Sequence, residues 1–358
     1  MAGVSRLAAS LVLALGAAPL TDAALRPQID KLVAAVGAAR RLAYRGVLPV
    51  RALGRDEAAR ASALAVGEGI DNPAARTEDE ILRRLGLVPA GSTAGDLAAR
   101  TYAQAAPPAA RYDTVTGTLL VPDFLPFEAQ RAEIAHQIAH AVADQRFGLR
   151  RFLRLAPGGE PRLDGDATRA RLCIVEGDAV LTGLELADPA ESFLGAHALG
   201  TLAARLRDAP PTAAPGWFAR LGELTHVDGL LFAARVRRHR PWSAVDELWN
   251  EPPTSTEQIL HPEKYDACEA PIPVDAAALP TLAGFGRPST SDVLGEWAIR
   301  TWLAETLPAE IAARAAAGWG GDRAGIYAPE ATATAAADGG AAAPPPAPLA
   351  WLTVWDDA

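Results

Sequence analysis

The chain has 358 residues, 49% of them hydrophobic and 22% charged. That balance belongs to a folded globular protein with a sizeable core, not to a disulfide-stapled module or a disordered chain. A formal net charge of −9 argues against a nucleic-acid backbone or an anionic membrane surface as the main partner.

Residues 1–24 read as a secretory signal peptide. Arg6 supplies the positive start, Leu7 to Leu20 the apolar run, and Thr21 to Ala24 the small residues for cleavage, most simply after Ala23. The run is shorter than the ~20 residues that a membrane span needs, and no later stretch is long and apolar enough. The expectation is a secreted or periplasmic protein with no integral membrane segment in the mature chain. Cys173 and Cys268 are the only cysteines. Pairing and two separate thiols are both compatible with their spacing.

The elements that follow predict a mainly α protein (α+β) with a few short strands. Apolar spacing marks helices over Asp30 to Tyr44 and Arg55 to Gly67. Thr77-Glu78-Asp79-Glu80 reads as a capping box opening a helix that ends at Gly86, with another helix from Gly95 to Gln104. Arg111 to Thr114 and Thr116 to Val121 read as strands about a turn. Helices follow from Pro126 to Phe147, Asp166 to Ala187 and Pro215 to Arg238. A second capping box at Thr254-Ser255-Thr256-Glu257 precedes Gln258-Ile259-Leu260-His261-Pro262, and helices from Asp292 to Thr306 and Pro308 to Ala317 finish the helical part. Gly318-Trp319-Gly320-Gly321 reads as a tight turn before a strand, and Trp351 to Trp355 as a final strand. The division expected is a signal peptide (1–24), a helical N-terminal portion (25–110), a metal-binding domain (111–330), an Ala/Pro/Gly-rich linker (331–349) and a C-terminal strand (350–358).

The chemistry centres on His136-Gln137-Ile138-Ala139-His140. Two histidines four apart on a helix share a face and can reach one zinc ion. The zinc-peptidase motif HExxH places between them a glutamate that deprotonates the metal-bound water; here that position holds Gln137. Glu176 lies in an otherwise apolar helical stretch, where a carboxylate is costly unless paired or metal-bound. His136, His140 and Glu176 make a His₂Glu set with an open fourth position. Asp178 and Asp144 are candidates to orient the ligand imidazoles.

These strings resemble bacterial extracytoplasmic zinc metallopeptidases of the gluzincin type. The matching segments are Tyr112-Asp113, HQIAHAVADQRF at 136–147 and EGDA at 176–179. They continue with STEQILHPEKY at 255–265, Leu294-Gly295-Glu296, GWGGDR at 318–323 and WLTVWD at 351–356. The resemblance implies a zincin-like domain with zinc on His136, His140 and Glu176. His261 and Tyr265 are candidates to bond a tetrahedral oxyanion, as such residues do in other gluzincins. Gln137 departs from the pattern: a carboxamide cannot accept the proton at neutral pH, and losing a positioned base typically costs ~10²–10⁴ in rate. The expectation is a zinc-binding metallopeptidase-like protein with hydrolysis lost or impaired, able to bind a peptide or protein. Two alternatives stand beside it. One is an active peptidase with another base, such as Glu133. The other is a di-iron helical protein using Glu133-x-x-His136, Glu176 and Glu223-x-x-His226 with Glu78 or Glu80.

Overall fold

The computed structural model describes residues 19–61, 73–89, 91–93, 109–155, 160–207, 216–329 and 347–356. It is mainly helical, 57% helix against 11% strand, as the sequence predicts. The principal elements are α1 (Asp22–Arg40), β1 (Val50–Leu53), α2 (Pro73–Arg84), β2 (Arg111–Asp113), β3 (Thr118–Pro122), α3 (Phe127–Phe147), α4 (Gly165–Ala187) and α5 (Ala196–Arg207). They continue with α6 (Gly216–Glu223), a π turn (Leu224–Asp228), α7 (Gly229–Arg237), α8 (Ser243–Asn250), α9 (Thr256–Leu260) and α10 (Pro262–Asp266). β4 (Thr290–Asp292), α11 (Gly295–Leu303), α12 (Ala309–Ala316), β5 (Trp319–Ile326) and β6 (Leu349–Trp355) complete the order. No helix among the described residues is long and apolar enough to cross a membrane.

The described residues fall into two compact units, each discontinuous in sequence. The first lies within Met1–Gly69, Gly95–Leu163 and Thr168–Pro253, the second within Ile70–Ala94, Asp164–Ala167 and Thr254–Ala358. Residue 110 is therefore no boundary, since chain on both sides of it belongs to the first unit. The signal segment up to residue 18, the helix expected over 95–104 and most of the 331–349 linker lie outside the described residues.

In the first unit, α1 starts earlier than apolar spacing suggested. Thr21 caps it, its hydroxyl accepting from Ala24 N at 3.2 Å, and the Asp22 carboxylate accepts from Ala52 N of β1 at 2.7 Å. Leu25, Ile29, Leu32 and Val36 form the buried stripe of α1. β1 pairs parallel with β3, and β2 antiparallel with β3, in the order β1-β3-β2. The β2–β3 turn is tied by Asp113, which accepts from the Thr116 hydroxyl and Val115 N. Helix α3 is buried on most of its circumference, through Ile134, Ala135, Ile138, Ala139, Ala141, Val142 and Ala143. So many alanines let neighbouring backbones come close, which is what places its histidines deep in the unit.

In the second unit the order is β4-β5-β6, both pairs antiparallel. Its organising group is Asp322, 1% exposed. The carboxylate accepts from Leu294 N and Gly295 N at the start of α11, and from the indoles of Trp319 and Trp351. Burial pushes its pKa up against those four donors. Several expectations are corrected here. The expected tight turn is confined to Gly318, whose φ is +87°; Trp319, Gly320 and Gly321 sit inside β5, where a Cβ on Gly321 would meet Ile272 O at 2.2 Å. Helix α2 starts at Pro73, so Thr77 lies inside it and bonds the Thr290 hydroxyl at 2.5 Å. The cap of α9 is Ser255 with Gln258, not Thr254 with Glu257, because Glu257 is taken by Lys264. Asp292 pairs in β4, so the following helix begins at Gly295.

Candidate metal centre

The candidate centre belongs to the first unit. His136 and His140 sit one turn apart on α3, and their Nε2 atoms are 3.0 Å from each other. Glu176 on α4 brings one oxygen, Oε2, to 3.1 Å from His136 Nε2 and 3.3 Å from His140 Nε2. The three side chains that the sequence singled out thus meet at one point. All are largely buried, with 12%, 10% and 20% of their side-chain surface exposed.

A fourth group arrives that spacing alone did not assign to this set. His226, in the π turn, places Nε2 at 3.2 Å from the same Glu176 oxygen. Its ring stacks on His136 with centroids 5.8 Å apart and planes 12° from parallel. Its Nδ1 faces the Gly222 carbonyl at 3.1 Å and the Thr225 hydroxyl at 2.9 Å. Paired glycines make the approach possible. A Cβ on Gly177, next to Glu176, would lie 2.3 Å from Gly229 O; one on Gly229 would lie 2.4 Å from Cys173 O. The sequence signal for His226 was its Glu223-x-x-His226 pattern.

The electrostatics are those of a buried carboxylate ringed by imidazoles. Burial alone would raise the pKa of Glu176, but the surrounding imidazoles hold it well below the usual carboxylate range. Burial lowers the pKa of His136. For His140 burial acts the same way, but the Glu176 charge outweighs it and the pKa rises. Tetrahedral zinc with bonds of ~2.0–2.1 Å sets its donor atoms roughly 3.3 Å apart. The three imidazole Nε2 atoms lie 3.1–3.3 Å from Glu176 Oε2, close to that spacing, and the donor atoms of His136, Glu176 and His226 all fall within 4.8 Å of one another. Imidazole and carboxylate donors are the ligand types zinc takes. The buried Nε2 of His226 has no hydrogen-bond partner, which a bound cation would satisfy. The residues present fit the ion.

The other expected residues are placed differently. Gln137 does not face an open water position. Its amide oxygen accepts from Tyr112 N at 2.8 Å, and its amide nitrogen donates to Glu133 Oε1 at 3.0 Å. Asp178 does not orient an imidazole: it takes two hydrogen bonds from Arg40, at 2.6 and 2.9 Å, and one from the Trp249 indole at 2.9 Å. A guanidinium that is only 1% exposed requires that counter-charge. Asp144 accepts from the Tyr112 hydroxyl at 2.8 Å and Leu149 N at 2.6 Å, which makes it a clasp at the end of α3. His261 and Tyr265 belong to the second unit, where His261 Nε2 meets the buried Glu296 at 3.0 Å and Tyr265 is half-buried. The di-iron reading needs Glu223 at the metal. Glu223 is instead paired with Arg207 at 2.8 Å, and Glu80 with Arg83 and Arg84. Glu257, Glu269 and Asp356 cluster in the second unit, but around the Lys264 ammonium. No disulfide joins the two cysteines: Cys173 is buried and Cys268 exposed.

A family model described as a domain of unknown function (DUF8575) matches residues 282–358, which fall in the second unit. No curated protein matches the chain. No solved structure matches it either.

Proposed function

We propose that this is an extracytoplasmic zinc-binding protein of gluzincin metallopeptidase type in which peptide hydrolysis has been lost. The observation that carries the reading is the meeting of His136, His140 and Glu176 from two neighbouring helices at 3.0–3.3 Å, with a carboxamide at the general-base position. These residues would hold the zinc, which as a Lewis acid polarises a bound carbonyl or lowers the pKa of bound water. Among the described residues, the general-base position then offers no proton acceptor. Gln137 cannot take a proton, and its amide is held between a backbone N–H and the Glu133 carboxylate. The alternative base, Glu133, has Oε1 committed to that same amide. A protein of this kind works by binding, with a peptide or protein as its ligand.

Metal analysis of protein purified without added metal, together with a peptide-library cleavage assay, tests the reading. The expected result is about one zinc per chain and no metal-dependent cleavage. Absence of zinc, two irons per chain, or cleavage that a chelator abolishes would each overturn it.

A further inference from the structure

We infer that His226 is a fourth protein ligand, so that three imidazoles and one carboxylate close the coordination shell and leave no position for water. The inference rests on the reading of this cluster as a zinc site and changes the purpose of that site. A zinc site with four protein ligands is structural, whereas a catalytic one keeps a position open.

Nδ1 of His226 faces the Gly222 carbonyl, which accepts and cannot donate, and the Thr225 hydroxyl, which gives its proton to the Leu221 carbonyl at 3.0 Å. The ring proton is therefore on Nδ1, and Nε2 carries a lone pair. That lone pair is buried, has no hydrogen-bond partner, and lies 3.2 Å from a carboxylate oxygen. Two electron-rich atoms at that distance repel unless a cation stands between them. The Nδ1–H···O=C bond is also the outer contact that metal-bound histidines make, since it fixes tautomer and ring orientation.

The backbone is shaped toward the same end. A π turn interrupts an otherwise continuous helix at Leu224–Asp228, and such insertions cluster at functional sites because they re-aim a side chain. The reciprocal contacts of Gly177 and Gly229 bring the backbone of that turn against α4 beside Glu176. Neither device is needed for a site of His136, His140 and Glu176 alone.

Hydrolysis is then blocked twice, by the amide at position 137 and by the filled shell. Gln137→Glu alone should not create a peptidase.

Cobalt(II) substitution of the full-length protein tests this. The unaltered protein should show the visible spectrum of a four-coordinate site that added azide does not change. In His226→Gln and His226→Ala, azide should perturb the spectrum, and free imidazole should restore the original bands in His226→Ala. Zinc affinity, measured by competition with a chromophoric chelator, should fall by at least the roughly 100-fold that loss of an outer contact can already cost. If azide shifts the spectrum of the unaltered protein, or if the variants keep their zinc affinity, His226 is not a ligand and the three-residue site stands without it. The azide result needs no variant, so a variant that misfolds does not remove the test. If the unaltered protein takes up neither zinc nor cobalt, the zinc reading falls, and the inference with it.

Discussion

Asp178 shows how a residue two positions from a candidate ligand can serve the fold instead of the proposed metal site. Its carboxylate neutralises Arg40, which also bonds Asp246 at 2.6 Å and lies over the Trp242 ring. Asp178→Asn should cost about 3–5 kcal/mol of stability, because it leaves a buried guanidinium short of charge. Zinc affinity should change by less than the roughly 10-fold expected for an outer contact of the metal. Denaturant melts and chelator competition on the same variant separate the two roles. His261 supports a second residue-level prediction. Its hydrogen bond to Glu296 raises its pKa from the ordinary 6.5, as do the Glu296, Glu263 and Glu257 charges, while partial burial works against them. A raised folded-state pKa means that the pair stabilises fully below the ordinary histidine value, and that this stabilisation is lost as pH rises through the folded value. Thermal midpoints measured from pH 5 to 9 should fall across that window, and His261→Gln should flatten this component. At this scale the meeting of His136, His140 and Glu176 was legible because an HxxxH helix and a lone buried carboxylate each carry a chemical cost that a metal would relieve. The role of Asp178 was not legible, because its partner Arg40 lies 138 residues away.

Elements were legible where local chemistry decides them. Gly148 in the left-handed region ends α3 one residue after Phe147, and α4 and α12 begin and end within a residue of expectation. The π turn was not, because nothing in its spacing distinguishes it from the helix it interrupts. Short β1, with its single parallel partner, also escaped apolar patterning. Two glycines of α4 give a test of how helix contact builds the site. Gly177→Ala would drive a methyl into Gly229 O, and such overpacking typically costs about 1–3 kcal/mol. Gly183 has nothing within 4 Å of its would-be Cβ, so Gly183→Ala should instead stabilise by about 0.5–1 kcal/mol. Zinc affinity should fall in the first variant and hold in the second. Equal affinity in both would detach the glycine contact from the metal centre.

At the scale of the whole molecule, a zinc ion held in the first unit, as proposed, predicts unequal response of the two units to chelation. The cysteines report on this without added labels. Cys268 is exposed in the second unit, while Cys173 is fully buried one turn before Glu176, its thiol 3.7 Å from Leu224 O in the π turn. A thiol reagent should modify one cysteine per chain rapidly in zinc-loaded protein. Zinc in ~1,000-fold excess over its Kd adds about 4 kcal/mol to the state that binds it. Removing it should accelerate labelling of Cys173 and leave Cys268 unchanged. Identical Cys173 rates with and without chelator would mean that the ion does not brace α4. The two-unit division was hidden from the sequence because each unit is assembled from separated stretches, and linear composition marks only contiguous ones.

The beginning of α1 bears on where a leader peptide could be cut. A leader cut after Ala23 would carry off Thr21 and Asp22, the residues that cap the helix and tether it to Ala52. The trimmed chain would open on a fresh ammonium at the positive pole of the helix dipole, an unfavourable juxtaposition. Maturation would thus be more than removal of an address: it would trade a fastened terminus for a frayed one.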